Sequence, residues 1–290
     1  MWSVNRSVAF LGNDSYAPRG RVWINARGLD RGVTLAFSPR SAAFVSGYRA
    51  VAHLRRGDLC DVYDAWSEER EARCVIKILR PDRRAYAADR RRVVAEGELL
   101  LSMTHPHIIR AYEVHEDPIP FIVLEAGSEA LLTRLIEQGP LSLRDLARLA
   151  TQLCSALGYL HRRGYLHLDL RPANVSYDRG HARLVDLSLA RHPGAAAPAI
   201  GPARSASVEQ AHGQPQSAAT DVWGLGALLY EAATGRAPVG EDRNGAQVPP
   251  LKRNGRLRPA TASIIIRCLS ASPEERPSLA EVARIFAPLV

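Results

Sequence analysis

His167–Asn174 reads HLDLRPAN, and it sets a carboxylate, Asp169, and an amide, Asn174, five residues apart in a loop. Ahead of it Leu143, Leu146, Ala150, Leu153, Leu157 and Leu160 recur at helical spacing, with Ser142 as cap and Gly164 as stop. Behind it come two short strand patterns, NVSY and ARLV, flanking a polar turn. Asp186 follows the second of them, twelve residues past Asn174. An aspartate and an asparagine at neighbouring strand ends can share a hard cation through oxygen, as magnesium prefers. Asp169 is then free to accept a hydroxyl proton. Taken singly, each of these residues is more often a turn former or a cap.

A second signal lies upstream. Of 38 basic residues only two are lysines, Lys77 and Lys252, and the rest are arginines. Lys77 sits inside the apolar run CVIKIL. A lysine snorkelling from a strand edge is the bland reading. Arginine would snorkel as well, so a compact ammonium is needed at this position. Lys77, Asp169, Asn174 and Asp186 together, in this order and spacing, point to chemistry.

Working outward, Tyr48 to Ala126 reads mostly as strand. YRAVAHL and the region around Val62-Tyr63 are two strands joined through Gly57, and CVIKIL is a third. A helix carrying Val93, Val94, Leu99, Leu100 and Met103 ends before His105-Pro106. IIRAYEVHED and FIVLEA complete a sheet of about five strands. From Gly127 helices dominate, including a buried one from about Asp221 to Thr234 and a last one after Pro277-Ser278 bearing Leu279, Val282, Ala283 and Phe286. The fold class is therefore α+β with two lobes: a small β-rich lobe over 47–126 and a larger helical lobe over 127–290. A ligand cleft is expected at the joint, around Glu125 to Ser128. Residues 1–46 read as a separate extension, whose RVWIN and VTLAF stretches form a possible hairpin that braces the small lobe or docks a partner.

Composition narrows the function classes. The 290 residues are 46% hydrophobic and 23% charged, enough to bury one large core or two lobes. MWSVNRSVAF lacks a secretory signature, and the strongest apolar run, Val222 to Tyr230, falls far short of the ~20 residues that span a bilayer. The expectation is a soluble, cytoplasmic protein without a membrane segment. Net charge is +8, yet the arginines are spread along the chain, so no nucleic-acid partner is expected. The densest cluster, Arg83, Arg84, Arg90, Arg91 and Arg92, reads as the solvated face of a helix. Cys60, Cys74, Cys154 and Cys268 have no metal-ligand or redox spacing and read as small buried apolar residues.

From Tyr48 to the C-terminus the sequence resembles the eukaryotic-type protein kinases. VIK at 75–77 looks like the strand bearing the phosphate-binding lysine, and HLDLRPAN looks like the catalytic loop. DLS at 186–188 looks like the DFG element, and TDVWGLGALLYEAATGRAP at 220–238 like the buried helix with its aspartate, Asp221. SVEQ at 207–210 resembles the end of the activation segment, and ERPS at 275–278 supplies Arg276, the family's partner for Glu209. The resemblance implies ATP and Mg2+ as ligands and a protein substrate phosphorylated on serine or threonine. It makes Glu96 the partner of Lys77, with Glu98 as fallback. It makes Asp169 the catalytic base, Asn174 and Asp186 the magnesium ligands, and Arg171 a contact for the transferred phosphate. Gly57, Val62, Val75, Glu125 and Ser176 would line the nucleotide site.

The departures from that pattern cluster. LRRGDLCDV at 54–62 keeps only the middle glycine, Gly57, with Arg55 and Cys60 at the outer positions, which loosens nucleotide binding. Val75 stands where the family has alanine, Ser176 where it has an apolar floor residue, and Ser188 where it has the DFG glycine. Leu168 replaces the arginine that pairs with a phosphorylated activation loop, and 187–208 holds no threonine or tyrosine. Pro202 replaces the threonine that bonds the catalytic aspartate in the family's Ser/Thr members, and Val208 replaces a proline, changes that bear on docking of a peptide substrate. Three readings stay open: an active kinase not switched by activation-loop phosphorylation, a pseudokinase that binds nucleotide or a partner, and transfer to a non-protein target.

Overall fold

A computed structural model of the chain describes residues 45–126, 131–194, 206–238 and 257–290. The hairpin expected before residue 45, the end of the joint at Gly127-Ser128, Pro202 and Lys252 lie outside the described residues. From Val45 on, the described residues belong to one unit.

The first lobe is a five-stranded antiparallel sheet in the order β1-β2-β3-β5-β4. Its strands are β1 Tyr48–Arg56, β2 Cys60–Ser67, β3 Ala72–Leu79, β4 Ala111–His115 and β5 Phe121–Glu125, with helix α1, Ala87–Ser102, between β3 and β4. β3 is central, which is why CVIKIL is apolar on both sides. Strand alternation sends Cys74, Ile76 and Ile78 to one core with Phe121 and Val123. Val75 and Leu79 pack with the other core, on the side where Lys77 reaches α1. α1 lies close against β4 because Gly97 has no side chain; a Cβ there would stand 2.4 Å from Val114 Cγ2. Arg90 is in α1, but Arg83 ends a short 3-10 turn, Pro81–Arg83, so the arginine cluster is not one helical face.

The second lobe contains α2 Leu132–Glu137, α3 Leu143–Arg162, β6 Val175–Asp178, β7 His181–Leu184, α4 Val208–Ala211, α5 Ala218–Thr234, α6 Pro259–Cys268 and α7 Leu279–Phe286. Ser142 Oγ accepts the Asp145 N–H at 3.1 Å, so the expected cap starts α3. Leu146, Leu149, Leu153, Leu157 and Leu160 of α3 are fully buried, each worth about 1.5–3 kcal/mol of burial. α5 is buried nearly all round and begins three residues before the expected start, because Ser217 and Thr220 form a capping box. α2, α4 and α6 fall outside the sequence expectations. The first two are too short to show a period, and the Ile264-Ile265-Ile266 run of α6 reads locally as strand.

All four cysteines are buried and unpaired, and burial pushes the Cys60, Cys154 and Cys268 thiols to about 12. No helix among the described residues is long and apolar enough to cross a membrane.

One ion pair holds the helical lobe's end to its middle. Arg276 donates to Glu209 Oε1 at 2.7 Å and Oε2 at 2.8 Å. Its remaining N–H groups reach the carbonyls of Ser270, Ala219 and Ala271. Thr220 Oγ also donates to Glu209 Oε1, at 2.9 Å. Burial raises the Glu209 carboxyl, but the hydrogen bonds and charge of Arg276, with backbone and Thr220 hydrogen bonds, together hold it below its ordinary 4.5. Replacing Arg276 by Met strands a buried carboxylate and should cost about 3–5 kcal/mol at neutral pH, read from urea unfolding. A lowered carboxyl stabilises the fold above its unfolded value and loses that contribution as pH falls. The difference between the protein and Arg276→Met should therefore shrink as urea titrations move below pH 4.5.

Candidate active site

The cleft is built on β3, α1 and the segments on either side of β6 and β7. Lys77 Nζ donates to both carboxylate oxygens of Glu96 at 2.7 Å and to Asp186 Oδ2 at 3.0 Å. Lys77 is 6% and Glu96 3% exposed, so this is a buried ion triad. Glu98, the fallback partner, is exposed on another side of α1. Glu96 Oε1 also accepts the Leu187 N–H at 3.1 Å, and Asp186 Oδ1 accepts the Ser188 N–H at 3.0 Å. Burial alone would lower the Lys77 ammonium, but Asp186 and Glu96 hold it above its ordinary value. Burial likewise works against the Asp186 charge, and Lys77 and Ser188 overcome it, holding the carboxyl well below the usual range.

The catalytic-loop segment is shaped by a different carboxylate. Asp221, in the first turn of α5, accepts the N–H groups of His167 and Leu168, both at 2.8 Å. His161 Nε2 lies 2.8 Å from the same Oδ2 that holds His167. Leu168 is thereby kept at φ 66°, the left-handed region that a leucine adopts only under constraint. Gln210 Nε2 donates to the Leu168 carbonyl at 2.9 Å, so both sides of its backbone are tied. The Leu168 side chain is 6% exposed, packed inward where the family's arginine would meet a phosphate.

This turn delivers Asp169 beside Asn174. Asn174 Nδ2 donates to Asp169 Oδ2 at 2.7 Å and to its carbonyl at 2.9 Å, and Arg171 Nε lies 3.3 Å from Oδ2. Burial lifts the Asp169 carboxyl above its ordinary value, against the pull of Arg171, His167 and Asn174. Among the described residues, Asp169 Oδ1 and Asn174 Oδ1 are buried acceptors without a partner. The unpartnered Asn174 oxygen and the Asp186 carboxylate are donors suited to magnesium, which would complete its shell with water and phosphate, and the Asp169 oxygen is open to a hydroxyl. Among the described residues no cluster of three or more His, Cys, Asp or Glu forms a self-sufficient cage.

Two cavities meet here. One of about 220 Å³ is lined by Leu54, Val62, Val75, Leu124, Ser176 and Val185, with Lys77 and Glu125 also on its wall. The Glu125 carboxylate is engaged elsewhere, accepting the Arg110 N–H at 3.0 Å and lying 3.5 Å from Arg183. The second, about 660 Å³, is bordered by Gly57, Cys60, Asp169, Arg171 and Asp186. Every sequence-chosen residue except Glu96 and Asn174 borders one of the two cavities, and those two touch residues that do. Arg83 and Arg92 border the outer cavity, although the sequence placed them on a solvated face. What sequence reasoning missed is Arg55, which borders both cavities; its only signal was a bulky cation at a glycine position.

Residues 48–285 match the family model of the protein kinase domain, and the chain belongs to that family. It is similar to serine/threonine-protein kinase PkaA of Streptomyces coelicolor, 34% identical over 228 residues, which are 72% of this chain and 41% of that protein. Serine/threonine-protein kinase PknB of Mycolicibacterium smegmatis is 29% identical over 224 residues, 69% of this chain and 36% of its own. A probable serine/threonine-protein kinase of S. coelicolor is 30% identical over 256 residues, 80% of this chain and 38% of its own. The chain thus spans about two fifths of the length of the curated relatives it matches.

Asp221→Ala leaves the His167 and Leu168 N–H groups buried without an acceptor. The expected loss is about 2–4 kcal/mol by urea unfolding, and Asp221→Asn, which keeps an acceptor oxygen, should lose less.

Proposed function

We propose that this chain is an ATP- and Mg2+-dependent protein kinase that transfers the terminal phosphate of ATP to serine or threonine hydroxyls of a protein substrate. The observation that carries this is the pair of unpartnered buried oxygens, Asp169 Oδ1 and Asn174 Oδ1, held next to the Lys77–Glu96–Asp186 triad. Leaving a buried acceptor unpaired costs about 1–3 kcal/mol, a penalty that a bound ligand removes. The names of the similar bacterial proteins support the serine/threonine class.

In this reading the adenine lies between Val62 and Val75 above and Ser176 below, with the backbone at Glu125 on the rim. Lys77 holds the α- and β-phosphates, and Glu96 fixes its ammonium. Asn174 and Asp186 are the metal ligands. When bound, magnesium supplies charge that neutralises the phosphate oxygens as transfer proceeds. Asp169 orients the attacking hydroxyl and accepts its proton, which its raised affinity for a proton favours. Arg171, 3.3 Å from Asp169 Oδ2, turns to the transferred phosphate. Activation-loop phosphorylation is not the switch, because the buried Leu168 offers no cation to a phosphate. Residues 47–126 and 127–290 are the two lobes, and residues 1–46 an extension available to a partner.

The pseudokinase reading has one observation in its favour: Lys77 and Arg55 both approach Oδ2 of Asp186, the carboxylate that would hold a metal. Turnover of labelled ATP onto a generic basic protein substrate separates the two. A kinase shows Mg2+-dependent label on serine or threonine, lowered at least about 100-fold in Lys77→Ala and in Asp169→Ala. Mg2+-dependent ATP binding that needs Lys77 and Asp186, with no transfer to any substrate, would instead establish a nucleotide-binding pseudokinase.

A further inference from the structure

The tip of the β1–β2 hairpin is committed to its own geometry. The Gly57 N–H, the one glycine N–H of this loop, donates to the Cys60 carbonyl at 2.8 Å inside the turn. Arg80 clamps the tip from outside, donating through Nη1 to the carbonyls of Gly57 at 2.9 Å and Asp58 at 3.1 Å. Its other edge is fixed on Asp82, at 3.0 Å from Nε and 2.6 Å from Nη2, and its own N–H donates to the Leu59 carbonyl at 3.1 Å. A glycine-rich loop binds phosphate by turning free N–H groups toward it. Here the glycine N–H is spent and the tip is pinned.

A side chain of β1 reaches the cavities instead. Arg55 borders both the inner cavity and the outer one, and its side chain is only 29% exposed. Its Nη2 lies 3.6 Å from Asp186 Oδ2, the oxygen that Lys77 Nζ reaches at 3.0 Å. Two cations therefore converge at the junction of the cavities, which a nucleotide's phosphate chain must cross if its base occupies the inner one. The Arg55 contact is longer than a hydrogen bond, so it is an ion pair that another anion can replace. A guanidinium presents parallel N–H donors that match phosphate oxygens.

We propose that Arg55 is a phosphate ligand of the nucleotide, exchanging its contact with Asp186 for the phosphate chain and adding a side-chain donor to a loop whose glycine N–H is already bonded. The inference rests on the nucleotide-binding reading above and adds to it a residue peculiar to this chain. The exchange also takes one of the two cations off the Asp186 carboxylate, which would hold the metal.

The test is equilibrium binding of ATP and of adenosine to the full chain, by calorimetry, with Mg2+ and with chelator, for the protein and for Arg55→Ala. ATP should weaken about 10- to 100-fold in the variant in both conditions, because a guanidinium–phosphate contact does not run through the metal. Adenosine, which has no phosphate, should change less than about twofold, and its binding shows that the variant is folded. ATP bound as tightly as before, or more tightly, with adenosine unchanged, overturns the proposal and makes Arg55 a bystander or a plug. If the unsubstituted protein binds neither ligand, the nucleotide reading itself falls and takes this one with it. Should Arg55→Ala lose adenosine as well, Arg55→Lys decides: a weakened ATP-to-adenosine ratio supports the proposal, and an unchanged ratio overturns it.

Discussion

Between Lys77 and Glu96 two opposite charges sit 2.7 Å apart, almost entirely out of water. Taking each ion from water costs several kcal/mol, and their attraction offsets this only when geometry and further hydrogen bonds are good. The surroundings supply both. The central strand β3 fixes Lys77, Gly97 lets α1 come near enough for Glu96 to reach it, and the Leu187 N–H fills a remaining lone pair of Glu96. Asp186 completes the set from the far side of the cleft. One ion triad thus joins the sheet, the helix and the floor of the cleft, and an apolar trio of similar volume would stabilise the fold at least as well.

The floor depends on a second buried carboxylate in the same way. Asp221 holds a leucine in a backbone conformation that costs roughly 1–2 kcal/mol, and the two N–H groups it accepts are what make that conformation persist. The consequence is local and chemical. Asp169 leaves the turn aimed at the outer cavity, Asn174 is tied to it, and one oxygen of each is left without a partner. Leu168 needs only its backbone for this, which is why its side chain can be apolar while the turn keeps its shape.

The roof is where this chain differs most from the pattern it resembles. The tip keeps one glycine and is clamped by Arg80, and a side chain from β1, Arg55, borders both cavities. The floor and the roof thus follow opposite logics: unpartnered oxygens below, an extra cation above.

Much was legible without coordinates. Apolar runs bounded by turn signals placed the strands of the first lobe, helical spacing placed α3 and α7, apolar stretches placed α1 and α5, and the lone lysine of CVIKIL stood out against a background of arginine. Those signals are local, because side-chain periodicity follows from the backbone geometry of single elements. The short helices α2 and α4 carried too little period to be read, and the β-branched run of α6 gave no helical signal of its own. HLDLRPAN and the residues spaced around it named Lys77, Asp169, Asn174 and Asp186 as one set. Glu96 was the first choice as partner of Lys77 and is the one that meets it; only the tertiary structure decided that Arg83 and Arg92 border the cleft, that Gly57 spends its N–H on Cys60, and that Arg55 points inward to Asp186. Each is a contact between residues distant along the chain or a choice of direction for one side chain, set by packing across elements rather than by the pattern within one.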